Sequence, residues 1–189
     1  MTAVPPKSGV GHPHILWIDC EMTGLDSKKD KIIEVAAIVT DEDLNILEEG
    51  PSLVINQPKA LLDSMDNWCT EQHGKTGLTR SVLESQVTTA QAERALLKFT
   101  KRHFRTPRVA LLGGNSVHAD RLFLAQEMPK LIGHLHYRLV DVSSVAELCR
   151  RWYPDESQAM PKKKATHRAL DDIKESIEQL RYLRQNYFK

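Results

Sequence analysis

The sequence predicts an α/β fold: a mixed sheet built from a three-strand meander followed by strands that alternate with helices, with helices on both faces. Three observations carry this expectation. Apolar, β-rich runs at 15–18, 32–40 and 44–56 come before any helical period. From Leu61 the apolar spacing changes to threes and fours. Beyond that point, short apolar runs at 108–114 and 135–142 each lead into a helical pattern.

The elements follow in order. Residues 1–13 are rich in Pro and Gly, with one Lys, no Arg and no apolar stretch of signal-peptide character, and they read as a flexible leader. A single domain is expected over 14–189, since 189 residues at 41% apolar content suit one well-buried core. "HILWIDCEM" reads as a central strand, and an acidic turn at Asp41–Asp43 separates the next two. Leu61, Leu62, Met65, Trp68, Cys69 and Gln72 lie at helical spacing. Residues 88–104 form an amphipathic helix with Ala92, Ala95, Leu96, Phe99 and His103 on one face and Thr88 or Thr89 as N-cap. A helix is expected over Ala119–Lys130, and another capped by Ser143 or Ser144. The polar loop "YPDESQAMPKKKA" then precedes a last helix from Thr166 to Leu183.

Composition narrows the function. The chain carries 26 basic and 25 acidic residues, a net charge of +1. Proteins that grip long nucleic acids need a basic excess to neutralise phosphates, so any nucleic-acid ligand here is short or held by a few local contacts. Cys20, Cys69 and Cys149 are odd in number, far apart and without a C-x-x-C pair, as expected of free thiols in a reducing, intracellular compartment. No apolar run reaches membrane-spanning length.

The candidate chemistry lies in acids at awkward places. Asp19 and Glu21 project from one face of a strand whose preceding run is core-like, because side chains alternate with period two. Asp120 starts the helix after "LLGGNSVHA"; taken singly, it reads equally well as a helix-start acid. Asp172 falls on the inward stripe of the last helix with Ala169, Ile173, Ser176 and Leu180, whereas Asp171 points away. Two unit charges 4 Å apart interact by roughly 4 kcal/mol at an effective dielectric near 20, so four converging carboxylates need cations. All-oxygen ligation suits Mg²⁺ or Mn²⁺, and a pair of such ions about 3.5–4 Å apart can stabilise a phosphoryl displacement. His167, at the mouth of the last helix, has the position of a general base.

These residues resemble a known family. "IDCEMTGLD", "GNSVHADRLFL" and "HRALDDI" match in order and spacing the three motifs of DnaQ-like 3′–5′ exonucleases with the Asp-Glu-Asp-Asp-His signature. Within that superfamily the chain resembles the oligoribonucleases from about His14 to Lys189, and its wording is closest to the eukaryotic mitochondrial form. Arg168 stands where the sister subgroup has Tyr. The resemblance implies an RNase H-like fold, a homodimer, and stepwise hydrolysis of single-stranded oligoribonucleotides of two to about five residues to nucleoside 5′-monophosphates. It implies two Mg²⁺ or Mn²⁺ ions per site held by Asp19, Glu21, Asp120 and Asp172, with His167 as the base. It further implies Leu25 as a wedge between bases, Trp68 against the 3′ base, and His73 at the scissile region or 3′ end. Ser116, Arg138 and Ser143 would cap the 5′ phosphate and Tyr137 would stack on the 5′ base, with Tyr137 and Arg138 supplied by the partner subunit. Mitochondrial, cytoplasmic and nuclear locations are all compatible.

The residues themselves leave alternatives at several of these positions. Trp68 shares a stripe with Leu61 and Met65, which suits a core role equally, and Tyr137 shares a strand face with Leu135 and Leu139. Arg138, on the opposite face, suits an anion clamp or a solvated strand position. "GKT" at 74–76 is no phosphate loop, because Cys69 stands where the first glycine is required. The lysines at 162–164 read as a solvated loop with at most a steering role. The competing readings are a broader 3′–5′ DNA/RNA exonuclease and a non-catalytic RNA-binding module on the same fold.

Overall fold

A computed structural model describes residues 14–154, 159–161 and 167–188. The expected leader, the lysines at 162–164, most of the polar loop and the expected helix start at Thr166 lie outside the described residues.

The sheet has five strands: β1 (Ile15–Met22), β2 (Ile32–Thr40), β3 (Ile46–Val54), β4 (Ala110–Gly114) and β5 (Leu135–Asp141). Their spatial order is β3-β2-β1-β4-β5. The first three form an antiparallel meander, and β4 and β5 add in parallel, giving the mixed sheet expected. β2 is buried along its whole length because helices cover both of its faces, which explains a run as apolar as Ile-Ile-Glu-Val-Ala-Ala-Ile-Val-Thr. β3 is an edge strand, half exposed, and Glu48, Glu49 and Pro51 keep that edge from pairing further.

Strand alternation splits the core in two. Leu16 and Ile18 of β1 and Val35, Ala37 and Val39 of β2 pack against one helical layer. That layer comprises α4 (Thr89–His103), α5 (His118–Glu127) and α6 (Pro129–His134). Trp17, Ala36 and Ile38 face the other way, against α7 (Val142–Trp152) and α8 (Ala169–Tyr187). Trp17 donates its indole N–H to the Thr40 hydroxyl at 2.9 Å, satisfying a buried donor within that layer. A smaller cluster closes on Ile33 with Leu62 of α1 (Lys59–Asp63) and Leu78 and Val82 of α3 (Leu78–Glu84), and α2 (Asn67–Lys75) comes between these two helices in the chain.

Several boundaries differ from the sequence expectation for local reasons. The long helix expected over Ala119–Lys130 breaks at Met128 and restarts as α6 with Pro129 in its first turn, where the missing N–H is harmless. The third strand of the meander starts at Ile46, because Leu44 sits buried in the turn with φ +66°. Arg108 likewise takes φ +64° in a turn, so β4 starts only at Ala110. The cap of α7 is Asp141 rather than either serine: its carboxylate accepts from Ser143 N at 3.0 Å. For α4 the expected Thr88 cap is present as a full capping box with Gln91. Thr88→Ala is expected to lower unfolding stability by about 1 kcal/mol in a denaturant titration, with unchanged slope.

Candidate active site

Period-two alternation puts Trp17, Asp19 and Glu21 on the face of β1 that α8 covers. α8 is held there by Ala169, Ile173 and Ile177, and the same stripe brings Asp172 down onto the strand end, 8% exposed. Asp120 arrives differently. The parallel ladder between β1 and β4 ends at Trp17 and Gly113, and α5 follows directly after β4. The N–H of Cys20, beyond that ladder, donates to Asp120 Oδ1 at 2.9 Å, so the carboxylate is held against β1.

The result is a cleft of about 270 Å³ lined by Asp19, Glu21, Asn115, Ser116, Asp120, His167 and Asp172, among others. Glu21, His167 and Asp172 each present a ligand atom within 4.8 Å of the others. Burial first, then the neighbouring Asp172, Glu34 and Asp120, raise the Glu21 pKa from 4.5 to about 8 against the opposing pull of Arg168. A cleft that takes up a proton at neutral pH is one that favours positive charge, and a hard divalent cation fits these carboxylate oxygens. Burial, with the acids around it, also pushes the Cys20 thiol well up, so it stays protonated and is no nucleophile. His167 has φ +49°, a conformation that non-glycine residues hold only when their surroundings impose it. Its ring stands edge-on to that of Trp68, with centroids 5.5 Å apart.

An adjoining cleft of about 480 Å³ is lined by Glu21, Met22, Gly24, Leu25, Asp66, Trp68 and His73, among others. Trp68 is 60% exposed and Leu25 85%, so neither is a core residue. The stripe that joined Trp68 to Leu61 and Met65 is interrupted because α1 ends at Asp63 and α2 restarts under an Asp66 cap. Leu25 is held out by its own turn: Asp30 accepts from the Thr23 hydroxyl at 3.2 Å and from Asp26 N at 2.9 Å. A Cβ on Gly24 would lie 2.4 Å from that carboxylate, so any side chain there would displace Asp30. His73 is buried, with Nε2 2.9 Å from the Met22 carbonyl and Nδ1 without a partner among the described residues. Burial, and the neighbouring His167, hold its pKa down, so Nε2–H donates and Nδ1 is left as an acceptor.

Of the remaining expected residues, Ser116 and Ser143 meet: Ser116 N donates to Ser143 Oγ at 3.0 Å and also to Asp141 Oδ1 at 3.0 Å. Tyr137 and Arg138 line neither cleft; Tyr137 is 69% exposed on β5, stacked on His136, with Arg138 5.4 Å from its ring centroid. Sequence reasoning missed Glu34, Asn115 and Gln179. Asn115 donates to Ser176 Oγ at 2.8 Å and Gln179 Oε1 at 3.1 Å, tying the loop before α5 to α8. The signal for Glu34 was present: one acid inside an otherwise apolar strand.

The model of the RNase_T exonuclease family matches residues 16–180. The mouse protein named "Oligoribonuclease, mitochondrial" is 58% identical over 175 residues, covering 93% of this chain and 73% of the mouse protein. The human protein of the same name is 57% identical over the same shares. The oligoribonuclease of Nocardia farcinica is 51% identical, covering 92% of this chain and 81% of that protein. The chain belongs to the oligoribonuclease family of exonucleases. Among solved structures, an exonuclease I shares the fold with a TM-score of 0.71 at 14% identity, covering 92% of this chain. A second, from Methylocaldum szegediense, gives 0.68 at 18% identity over 93% of this chain. The chain spans about two fifths of the length of both, 41% in each case.

The raised Glu21 pKa has a sign that can be measured. Between pH 4.5 and about 8 the folded chain holds a proton that the unfolded chain has released. Stability present below that window is therefore lost as the pH rises through it. With chelator present, the Tm of the native chain is expected to fall across this range more steeply than that of Glu21→Gln.

Proposed function

We propose that the chain is a 3′–5′ exoribonuclease that hydrolyses short single-stranded oligoribonucleotides, two to about five residues long, to nucleoside 5′-monophosphates. The single observation that carries this is the convergence of Asp19, Glu21, Asp120, His167 and Asp172 on one cleft in a chain of the oligoribonuclease family. Residues 14–189 act as one exonuclease domain.

Asp19, Glu21, Asp120 and Asp172 would hold two Mg²⁺ or Mn²⁺ ions, which when bound stabilise charge on the attacking and leaving oxygens of the phosphodiester. The proton uptake of the Glu21 environment supports a cation there. His167 takes the proton from the attacking water; its placement beside Glu21 and Asp172 and its edge contact with Trp68 keep the imidazole at the cleft. The scissile bond lies at the junction of the two clefts, which share Cys20, Glu21 and Met22. Trp68 stacks on the 3′ base, Leu25 enters between bases, and His73 lines the cleft at the 3′ end.

The short-substrate reading is supported by the net charge of +1 and by the paired Ser116 and Ser143 at the far lip of the cleft. Ser116 and Ser143, with the partner subunit's Arg138 and Tyr137, cap the 5′ end. Such a cap fits a homodimer, because Tyr137 and Arg138 lie away from the cleft of their own chain. The names of the mammalian relatives support a mitochondrial location, and no helix among the described residues is long and apolar enough to cross a membrane.

A labelled dinucleotide is expected to be hydrolysed far faster than a long single strand with Mg²⁺ or Mn²⁺, and not at all in chelator. Equal turnover of both lengths would refute the length specialisation, and activity in Asp172→Ala would refute the cation assignment. His167→Ala is expected to lower kcat by about 10²–10⁴-fold. Trp68→Ala is expected to weaken dinucleotide binding by about 1–3 kcal/mol. Light scattering should show a dimer; a fully active monomer contradicts the shared site.

A further inference from the structure

Beside the cleft lies a tightly bonded charge pair that the mechanism above does not use. Glu34 lies on β2 directly opposite Glu21 in the β1–β2 register, and only 1% of it is exposed. Its Oε1 accepts from Arg168 Nη2 at 2.7 Å and Nε at 3.1 Å, while Oε2 accepts from Nε at 3.1 Å. Oε2 also accepts from the backbone N–H of Ala169 at 3.3 Å. Arg168 is the N-cap of α8 and makes no side-chain cap of its own. A carboxylate from a neighbouring strand therefore takes the first free N–H of the helix, at the end where the helix dipole favours negative charge.

The location of the pair gives it consequence. Arg168 stands between His167 and the helix that carries Asp172, and its own carbonyl accepts from Asp171 N and Asp172 N at 3.0 Å. Gripping Arg168 against β2 thus sets both the start of α8 over the strand and the backbone on which His167 turns with φ +49°. Arginine's planar fork can fix direction as well as distance, which a lysine ammonium cannot. Because Glu34 is rooted in the most buried strand of the sheet, the grip has a rigid base.

We propose that Glu34 and Arg168 are positioning residues that hold His167 and Asp172 in their working geometry, without touching the substrate or the reacting atoms. The inference rests on the reading of His167 as base and Asp172 as cation ligand.

The test uses the full chain, a labelled dinucleotide and saturating Mg²⁺, with circular dichroism and Tm confirming that each variant is folded. Glu34→Gln keeps the shape and an acceptor, and Arg168→Lys keeps the charge but loses the fork. Each is expected to lower kcat about tenfold to a hundredfold while KM moves less than about threefold, since small misplacements of catalytic groups cost that much. The double variant is expected to be no worse than the poorer single, because the two act as one unit. Added guanidinium ion is expected to restore part of the kcat of Arg168→Ala. Native kcat in folded variants overturns the proposal. So does a rise in KM at unchanged kcat, which makes Arg168 a substrate contact. His167→Ala is assayed in parallel: if it keeps native kcat, the underlying mechanism fails and no base remains to be positioned.

Discussion

Trp17, Asp19 and Glu21 leave the same face of one buried strand, and within two residues the chain passes from a sealed core to a cluster of like charges. Everything around the cleft answers that juxtaposition. Leu16, Trp17 and Ile18 are wholly buried, so the strand cannot swing to relieve the repulsion between its carboxylates and those of Asp120 and Asp172. Burial, with that repulsion added, instead leaves a proton held on Glu21 to about pH 8, or a cation in the same place relieves the charge. A rigid backbone under concentrated negative charge is the condition for ordered cation binding, and the sheet supplies it.

The other elements converge on that strand end by separate routes. α8 lies over β1 and β2 by its apolar stripe, which carries Asp172 down with it. α5 comes from the parallel side, where the shortness of β4 leaves the Cys20 N–H for Asp120 to accept. Asn115 ties the start of that segment to Ser176 and Gln179 of α8, and Glu34 ties the start of α8 to β2. Two helices and a strand that meet nowhere in sequence are thereby cross-braced within a few residues of each acid.

The adjoining cleft follows a different logic. Where the acid cluster is rigid and charged, this cleft is apolar, with Leu25 and Trp68 turned outward and costing some hydrophobic exposure. Leu25 is held in that position by the Asp30 carboxylate beneath Gly24, so its exposure is built into the turn rather than left to chance. On the proposed reading, with a net charge of +1, apolar contacts to one or two bases would supply much of the affinity.

How much of this was legible follows from range of interaction. Local patterns announced β1, β2, the Thr88 cap of α4 and the inward turn of Asp172, because period and capping are decided within a few residues. The break at Met128 and the turn conformations of Leu44 and Arg108 escaped, since each is settled by packing around it. The residues alone left Trp68 between core and surface, and only the interruption between α1 and α2 turned it outward. Sequence by itself determined the sheet's meander, the alternation of strand and helix, the shared face of Asp19 and Glu21 and the inward turn of Asp172, because these depend on side-chain period and polarity. Tertiary structure alone decided that Asp120 reaches the Cys20 N–H and that Glu34 grips Arg168. Those contacts join residues 100 and 134 positions apart, and no local pattern encodes which distant partner a buried polar group will find.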